Sequence, residues 1–147
     1  MANPDAIIIR SSWVYSSFGK NFVKTILRLL KEKNEIGVVS DQLGSPTYAA
    51  DLALAILQMI GKGWYPGIYH YCNEGIISWY EFALAIKDIS KSSCTIKAIS
   101  TDQYPTAAKR PSFSALDCSR IKKVYNIQSP SWRESLAACM EILTQSN

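Results

Sequence analysis

A carbonyl reductase needs a proton donor, and a tyrosine serves when a lysine four residues on shares its helix face and stabilises the phenolate. Eight tyrosines are available, at 15, 48, 65, 69, 71, 80, 104 and 125. None has lysine at that spacing; Tyr15 has Lys20 one position too far. A dinucleotide loop needs Gly-x-Gly-x-x-Gly between a strand and a helix, so that backbone amides can meet the pyrophosphate. The nearest run, Gly61-Lys62-Gly63-Trp64-Tyr65-Pro66, ends in proline and follows a helical pattern. There is no Gly-Lys-Ser/Thr phosphate loop and no serine nucleophile elbow, and His70 has no evident triad. The four cysteines (72, 94, 118, 139) lie about twenty residues apart with no Cys-x-x-Cys pair. With one histidine they make no metal-ligand set and a weak disulfide framework. No catalytic residue is assigned.

What remains is suited to binding. Ser11, Ser12, Trp13, Val14 and Tyr15 follow an apolar strand, and open α/β sheets present ligands beyond the carboxyl ends of their strands. Trp13 can stack on a sugar or other flat ring, or serve as a packing tryptophan; both readings stay open. Asn21 stands where it can cap a helix, with a ligand role secondary. Gln42, Ser45 and Thr47 form a polar loop that can touch a sugar or fix a turn, and the turn reading is favoured. Arg110, in the Lys109-Arg110-Pro111 stretch, can fork onto a diphosphate or stand as a surface arginine. Asp117 reads as a helix cap.

The elements that must position these groups follow from periodicity. Ile7-Ile8-Ile9 reads as a buried parallel strand. Phe22, Val23, Ile26, Leu27, Leu29 and Leu30 mark a helix ending near Lys33-Asn34, followed by a strand at Ile36–Val39. After the polar loop 41–47, a helix carries Leu52, Ala55, Ile56, Met59 and Ile60 and stops at Gly61-Lys62-Gly63. Asp51 in its first turn suits the helix dipole. A strand at 67–72 precedes a capping box, Ser78-Trp79-Tyr80-Glu81, with Ile77 and Phe82 as its staple. That helix is expected to bury Phe82, Ala85, Ile86 and Ile89. A strand at 95–99, a short helix over Ile121, Val124 and Tyr125, and a last helix burying Trp132, Leu136, Met140 and Leu143 complete the chain. Strand and helix alternate first at about one unit per twenty-five to thirty residues, the βαβ pattern of an α/β fold.

Composition bounds the class. The chain has 147 residues, 48% hydrophobic and 19% charged, enough for one globular core. Its net charge is +4, but the sixteen Lys and Arg residues are spread out, so no nucleic-acid partner is expected. The opening apolar run is too short for a signal core or membrane span, so no membrane partner is expected. A reducing cytoplasm is the expected location, with the cysteines as small buried hydrophobes.

Several blocks together resemble the dTDP-4-dehydrorhamnose reductase family of the extended short-chain dehydrogenase/reductases. They are Arg10-Ser11-Ser12-Trp13-Val14-Tyr15, Gly19-Lys20-Asn21-Phe22-Val23, Val39 through Tyr48 with its Asp41-Gln42-Leu43-Gly44-Ser45-Pro46-Thr47 core, and Asp51-Leu52-Ala53. Gly67-Ile68-Tyr69-His70, Ser78 through Ala83, and Arg110-Pro111 with Ser114 and Leu116-Asp117 continue the match in order. The resemblance implies reduction of the C4 ketone of dTDP-4-dehydro-L-rhamnose to dTDP-L-rhamnose with NAD(P)H, by a Rossmann-like α/β enzyme serving cell-surface polysaccharide synthesis. It implies that Trp13, Asn21, Gln42 and Arg110 hold the dTDP-sugar, and that Ser11 and Ser12 lie near the cofactor. Ser11 replaces the usual threonine and keeps its hydroxyl.

The family's glycine-rich loop and tyrosine–lysine pair belong to a preceding region. The resemblance therefore implies the carboxyl-terminal part only: the last βα units of a doubly wound sheet (1–65) and a small substrate-binding α/β lobe (66–147). On this expectation Met1 lies inside a longer gene product, and NADP(H) serves the intact enzyme. The isolated chain would then be inactive and bind no cofactor. An open sheet edge suggests a homo-oligomer. The alternatives are a non-catalytic relative such as the regulatory subunit of a methionine adenosyltransferase, a reductase or epimerase of another sugar nucleotide, or a free-standing binding module.

Overall fold

The computed structural model describes residues 3–104, 108 and 110–145. Lys109, part of the basic stretch singled out above, lies outside them. Strand β1 (Ile7–Arg10) is followed by β2 (Val14–Tyr15), helix α1 (Phe22–Glu32) and β3 (Glu35–Val39). Next come β4 (Leu43–Gly44), β5 (Thr47–Tyr48), α2 (Ala49–Lys62), β6 (Gly67–His70) and β7 (Ile77–Ser78). Helix α3 (Trp79–Ser90), β8 (Thr95–Ile99), a 3-10 turn (Thr101–Gln103), α4 (Ser119–Tyr125) and α5 (Trp132–Gln145) complete the order.

The strands pair at long range. β1 runs parallel to β6, β2 to β5 and β3 to β8, while β4 and β7 are antiparallel. The expected fold class, a carboxyl-terminal portion of a doubly wound sheet with a separate small lobe, is corrected. The described strands form four two-stranded sheets, parallel and antiparallel, distributed with their helices along the whole chain. The physical reason is that strands of two to five residues find their ladder partners far away in sequence. β1 is completed by β6 and β3 by β8, so these pairs join residues 1–65 to 66–147.

Helix starts follow local chemistry. Asn21 caps α1, its side chain accepting from the Lys24 N–H. Ser78 and Glu81 form the reciprocal capping box of α3, Ser78 Oγ accepting from the Glu81 N–H and Glu81 Oε2 from the Ser78 N–H. At α4 the expected Asp117 cap moves by one residue. Cys118 holds the cap position, and Asp117 accepts from the Ser119 N–H at 2.8 Å.

Two apolar cores result. The larger gathers Val23, Ile26, Leu30, Ile36, Phe82, Ile86, Leu136 and Met140 between α1, α3, α5 and β3. The smaller gathers Ala55, Met59, Tyr69, Tyr71, Ile121, Tyr125 and Ile127 around β6. Two expectations of burial are corrected, at Ile8 and at Ile89. Ile8 is 49% exposed, because β1 pairs on one side only and alternates its faces. On α2 only Ala55 and Met59 are buried, with Ile56 and Ile60 exposed. Ile89 is also exposed. The loop expected at 41–47 supplies β4 and the first residue of β5: its backbone groups pair with β7 and β2. Among the described residues no helix is long and apolar enough to cross a membrane.

Candidate functional site

Trp13 sits between β1 and β2 with φ 48°, a left-handed backbone that a bulky residue rarely adopts. The surroundings hold it there. Its carbonyl accepts from the Thr47 N–H at 3.2 Å, and its indole Nε1–H donates to Ser114 Oγ at 3.1 Å. Its ring lies flat on Trp79, centroids 3.5 Å apart and planes 11° from parallel. Trp79 in turn leans on Phe22 at 4.6 Å.

Gly44 explains the small residue in the polar loop. A Cβ built there would stand 2.5 Å from Trp13 Cε2 and 2.6 Å from Ser114 Oγ, closer than real carbon contacts come. Ser114 closes the same corner: its N–H and its hydroxyl both donate to the Leu43 carbonyl, at 2.8 and 3.1 Å. Three segments remote in sequence thus meet on Trp13.

Beside this aromatic stack opens a cavity of about 480 Å3. Phe22, Trp79, Gln42, Val39, Tyr104 and Arg110 are among its walls. Gln42 is buried, and its amide nitrogen donates to Thr101 Oγ1 at 3.1 Å. The Thr101 hydroxyl donates to the Asp41 carboxylate at 2.7 Å, and its N–H reaches the same carboxylate at 3.0 Å. These bonds hold the Asp41 carboxyl below the usual carboxylate range and keep it an anion. Arg110 is exposed at the rim, opposite apolar and aromatic walls. An aromatic floor, a buried amide and a guanidinium can hold a sugar ring by its face and an anion at its edge.

The sequence-predicted residues divide. Gln42 and Arg110 line the cavity, and Trp13 supports its wall through Trp79. Asn21 is spent on capping: its amide nitrogen donates to the Ser16 and Phe18 carbonyls. Ser11 is half-buried at the carboxyl end of β1. The Ser12 hydroxyl donates to the Ser45 carbonyl at 2.8 Å and lies 3.3 Å from Cys72 Sγ. Sequence reasoning missed Trp79 and Tyr104 as wall residues. The only signal for Trp79 was an aromatic residue directly after a helix cap, in the first turn of α3.

A model of the RmlD substrate binding domain matches residues 1–145. The chain belongs to the RmlD substrate binding domain family. The match spans almost all of it, so the expectation that it resembles the family's reductases as a carboxyl-terminal part only is corrected. Among curated RmlD relatives, the spore coat polysaccharide biosynthesis protein SpsK of Bacillus subtilis is 45% identical over 136 residues, 92% of this chain and 47% of its own. The dTDP-4-dehydrorhamnose reductase of Aggregatibacter actinomycetemcomitans is 41% identical over 145 residues, 91% of this chain and 49% of its own. The chain spans about half the length of these curated relatives. The crystal structure of dTDP-4-dehydrorhamnose reductase from Bacillus anthracis in complex with NADP superposes with a TM-score of 0.88 at 39% identity, covering 94% of this chain and 48% of that one. That likeness corrects the expectation of a truncated, inactive fragment: over 94% of its length the chain follows the fold of a dTDP-4-dehydrorhamnose reductase solved with NADP.

Proposed function

We propose that the protein carrying this sequence is an oxidoreductase that reduces dTDP-4-dehydro-L-rhamnose to dTDP-L-rhamnose with NAD(P)H, and that this chain holds the sugar nucleotide. The observation that carries the reading is the meeting of Gln42, Trp79 and Arg110 on one cavity, backed by Trp13, in a chain that matches the RmlD family over residues 1–145. Relatives named as dTDP-4-dehydrorhamnose reductases, one of them solved with NADP, support the substrate and cofactor class.

In this reading the Trp13–Trp79 stack forms a rigid wall for the sugar, since two rings held face to face cost little further order on binding. Arg110 meets the diphosphate with a planar fork of donors. Gln42, oriented through Thr101 and Asp41, offers its carboxamide to a sugar hydroxyl. NAD(P)H, when bound, supplies the hydride for the ketone carbon. Ser11 and Ser12 stand at the carboxyl end of a parallel strand, the end where α/β folds present ligands. Ser11 fits a contact to the cofactor better than Ser12, whose hydroxyl already serves Ser45. Asn21 acts by holding the start of α1, whose Phe22 and Thr25 line the cavity. Self-association through open strand edges and the lack of a nucleic-acid partner belong to the same reading.

The test is calorimetric titration of this chain with dTDP and, separately, with NADPH. Saturable dTDP binding that Trp13→Ala weakens about tenfold or more supports the reading. Absence of dTDP binding to a folded chain, or equal loss of dTDP and NADPH binding in the variant, would overturn the assignment of this cavity.

A further inference from the structure

A second cavity, of about 440 Å3, shares no wall with the first. Ser45, Cys72, Asn73, Leu116, Cys118 and Lys122 are among its lining residues. It brings together two of the four cysteines, which the sequence separates widely. Two bonds strap the start of α4 along β6: His70 Nδ1 lies 3.1 Å from the Asp117 carbonyl, and the Arg120 guanidinium donates to the Ile68 carbonyl at 3.2 Å. They bring Cys118, which follows Asp117, to the wall of the cavity that Cys72 also lines, just beyond the end of β6.

The partners of the two sulfurs differ. Cys72 is buried, 3.3 Å from Ser12 Oγ. Hydrogen bonds from Cys118 and then from Ser12 and Thr47 hold its thiol below the ordinary range, since they favour the thiolate. Cys118 is half-buried and 3.6 Å from the Leu116 carbonyl. Cys94 and Cys139 are packed in the larger core, away from this cavity.

We propose that Cys72 and Cys118 form a dithiol modification site, which a small hydroperoxide entering the second cavity converts to a disulfide. The Cys72 thiolate attacks one peroxide oxygen and the O–O bond breaks. Cys72 becomes a sulfenic acid, and the other oxygen leaves as hydroxide, which takes up the proton that Cys72 released and becomes water. Cys118 sulfur then attacks the sulfenic sulfur, the S–O bond breaks, and the hydroxyl leaves as water with the Cys118 proton. Two thiols and one hydrogen peroxide give one disulfide and two waters, with two electrons passing from sulfur to peroxide. The bond would tie β6 to the segment that runs from Arg110 through Ser114 to Cys118, which packs on the Trp13 corner.

The chain is exposed to hydrogen peroxide, alkylated, and read by intact mass and peptide mapping. The expected result is a loss of about 2 Da with one linked pair, Cys72–Cys118, reversed by a dithiol reductant. Cys94→Ser should leave that pair unchanged. Cys118→Ser should abolish it and leave Cys72 gaining oxygen instead. Linkage between any other cysteines overturns the proposal. So does full alkylation of Cys72 and Cys118 after peroxide treatment. The mapping of the unmodified chain decides the matter even if a variant fails to fold.

Discussion

Gly44 and Arg110 carry opposite kinds of demand at the candidate site. Gly44 is needed for what it lacks: any side chain would enter the space of Trp13 and Ser114. Gly44→Ala is expected to cost about 1–3 kcal/mol by overpacking and to weaken dTDP binding, as the indole is pushed off its bond to Ser114. Chemical denaturation and calorimetry on the same variant check both effects. Arg110 is needed for what it presents. Arg110→Ala should reduce dTDP affinity by about tenfold or more and flatten its salt dependence, while stability stays within about 0.5 kcal/mol, since the residue is exposed. An unchanged affinity would remove Arg110 from the site. Trp13 was legible as a candidate from its type and place after a strand. Its partner Trp79 was not, because stacking across two remote segments leaves no trace in local spacing.

At the scale of elements, α3 is the helix that presents Trp79, and its start is defined by chemistry local to four residues. Ser78→Ala removes the acceptor for the Glu81 N–H and one side of the capping box. The expected loss is about 1 kcal/mol, seen as a lower denaturant midpoint with unchanged slope. Site binding should also weaken, because the frayed first turn carries Trp79. The capping box of α3 and the helix spans were readable because each depends on near neighbours. The two-residue strands β4 and β5 were not: Leu43–Gly44 and Thr47–Tyr48 pair with β7 and β2, and nothing within the loop announces distant partners. The exposure of Ile56 and Ile60 on α2 was unreadable for a related reason. Helical periodicity tells which residues share a face, and only packing tells which face is covered.

In the molecule as a whole, one buried polar junction connects elements from both halves of the chain. The Asn73 amide donates to Asp51 Oδ2 at 2.6 Å and to Ser135 Oγ at 2.8 Å, while its carbonyl oxygen accepts from the Tyr48 N–H at 2.7 Å. This ties α2, α5 and the end of β5 to the segment after β6. Asn73→Ala should cost about 1–3 kcal/mol, since it leaves the buried Tyr48 N–H without its acceptor and takes one donor from the Asp51 carboxylate, which keeps that of Ser135. A loss under about 1 kcal/mol by denaturant titration would show that water replaces the bonds. Alkaline pH should act on the same body. Burial pushes the Tyr71 hydroxyl up to about 12 and the Cys139 thiol up to about 11. Both groups are held neutral in the fold and ionise more readily when unfolded, so the unfolded chain binds fewer protons above pH 9–10. The stability they contribute is present at neutral pH and falls as pH rises from about 9 to about 12. Melting temperatures across that range test the sign.

The sequence alone determined the α/β alternation, the caps of α1 and α3, and the blocks around Trp13, Gln42 and Arg110 that led to the family. These rest on short-range hydrogen bonds, side-chain periodicity and motif order, all of which a linear chain records. Only the tertiary structure decided that the strands pair as four short ladders, that Trp79 backs Trp13, and that Cys72 and Cys118 line one cavity. It also decided that Ser12 spends its hydroxyl on the protein itself. Those outcomes depend on which distant surfaces bury each other, and contact between remote segments is set by the packing of the whole chain.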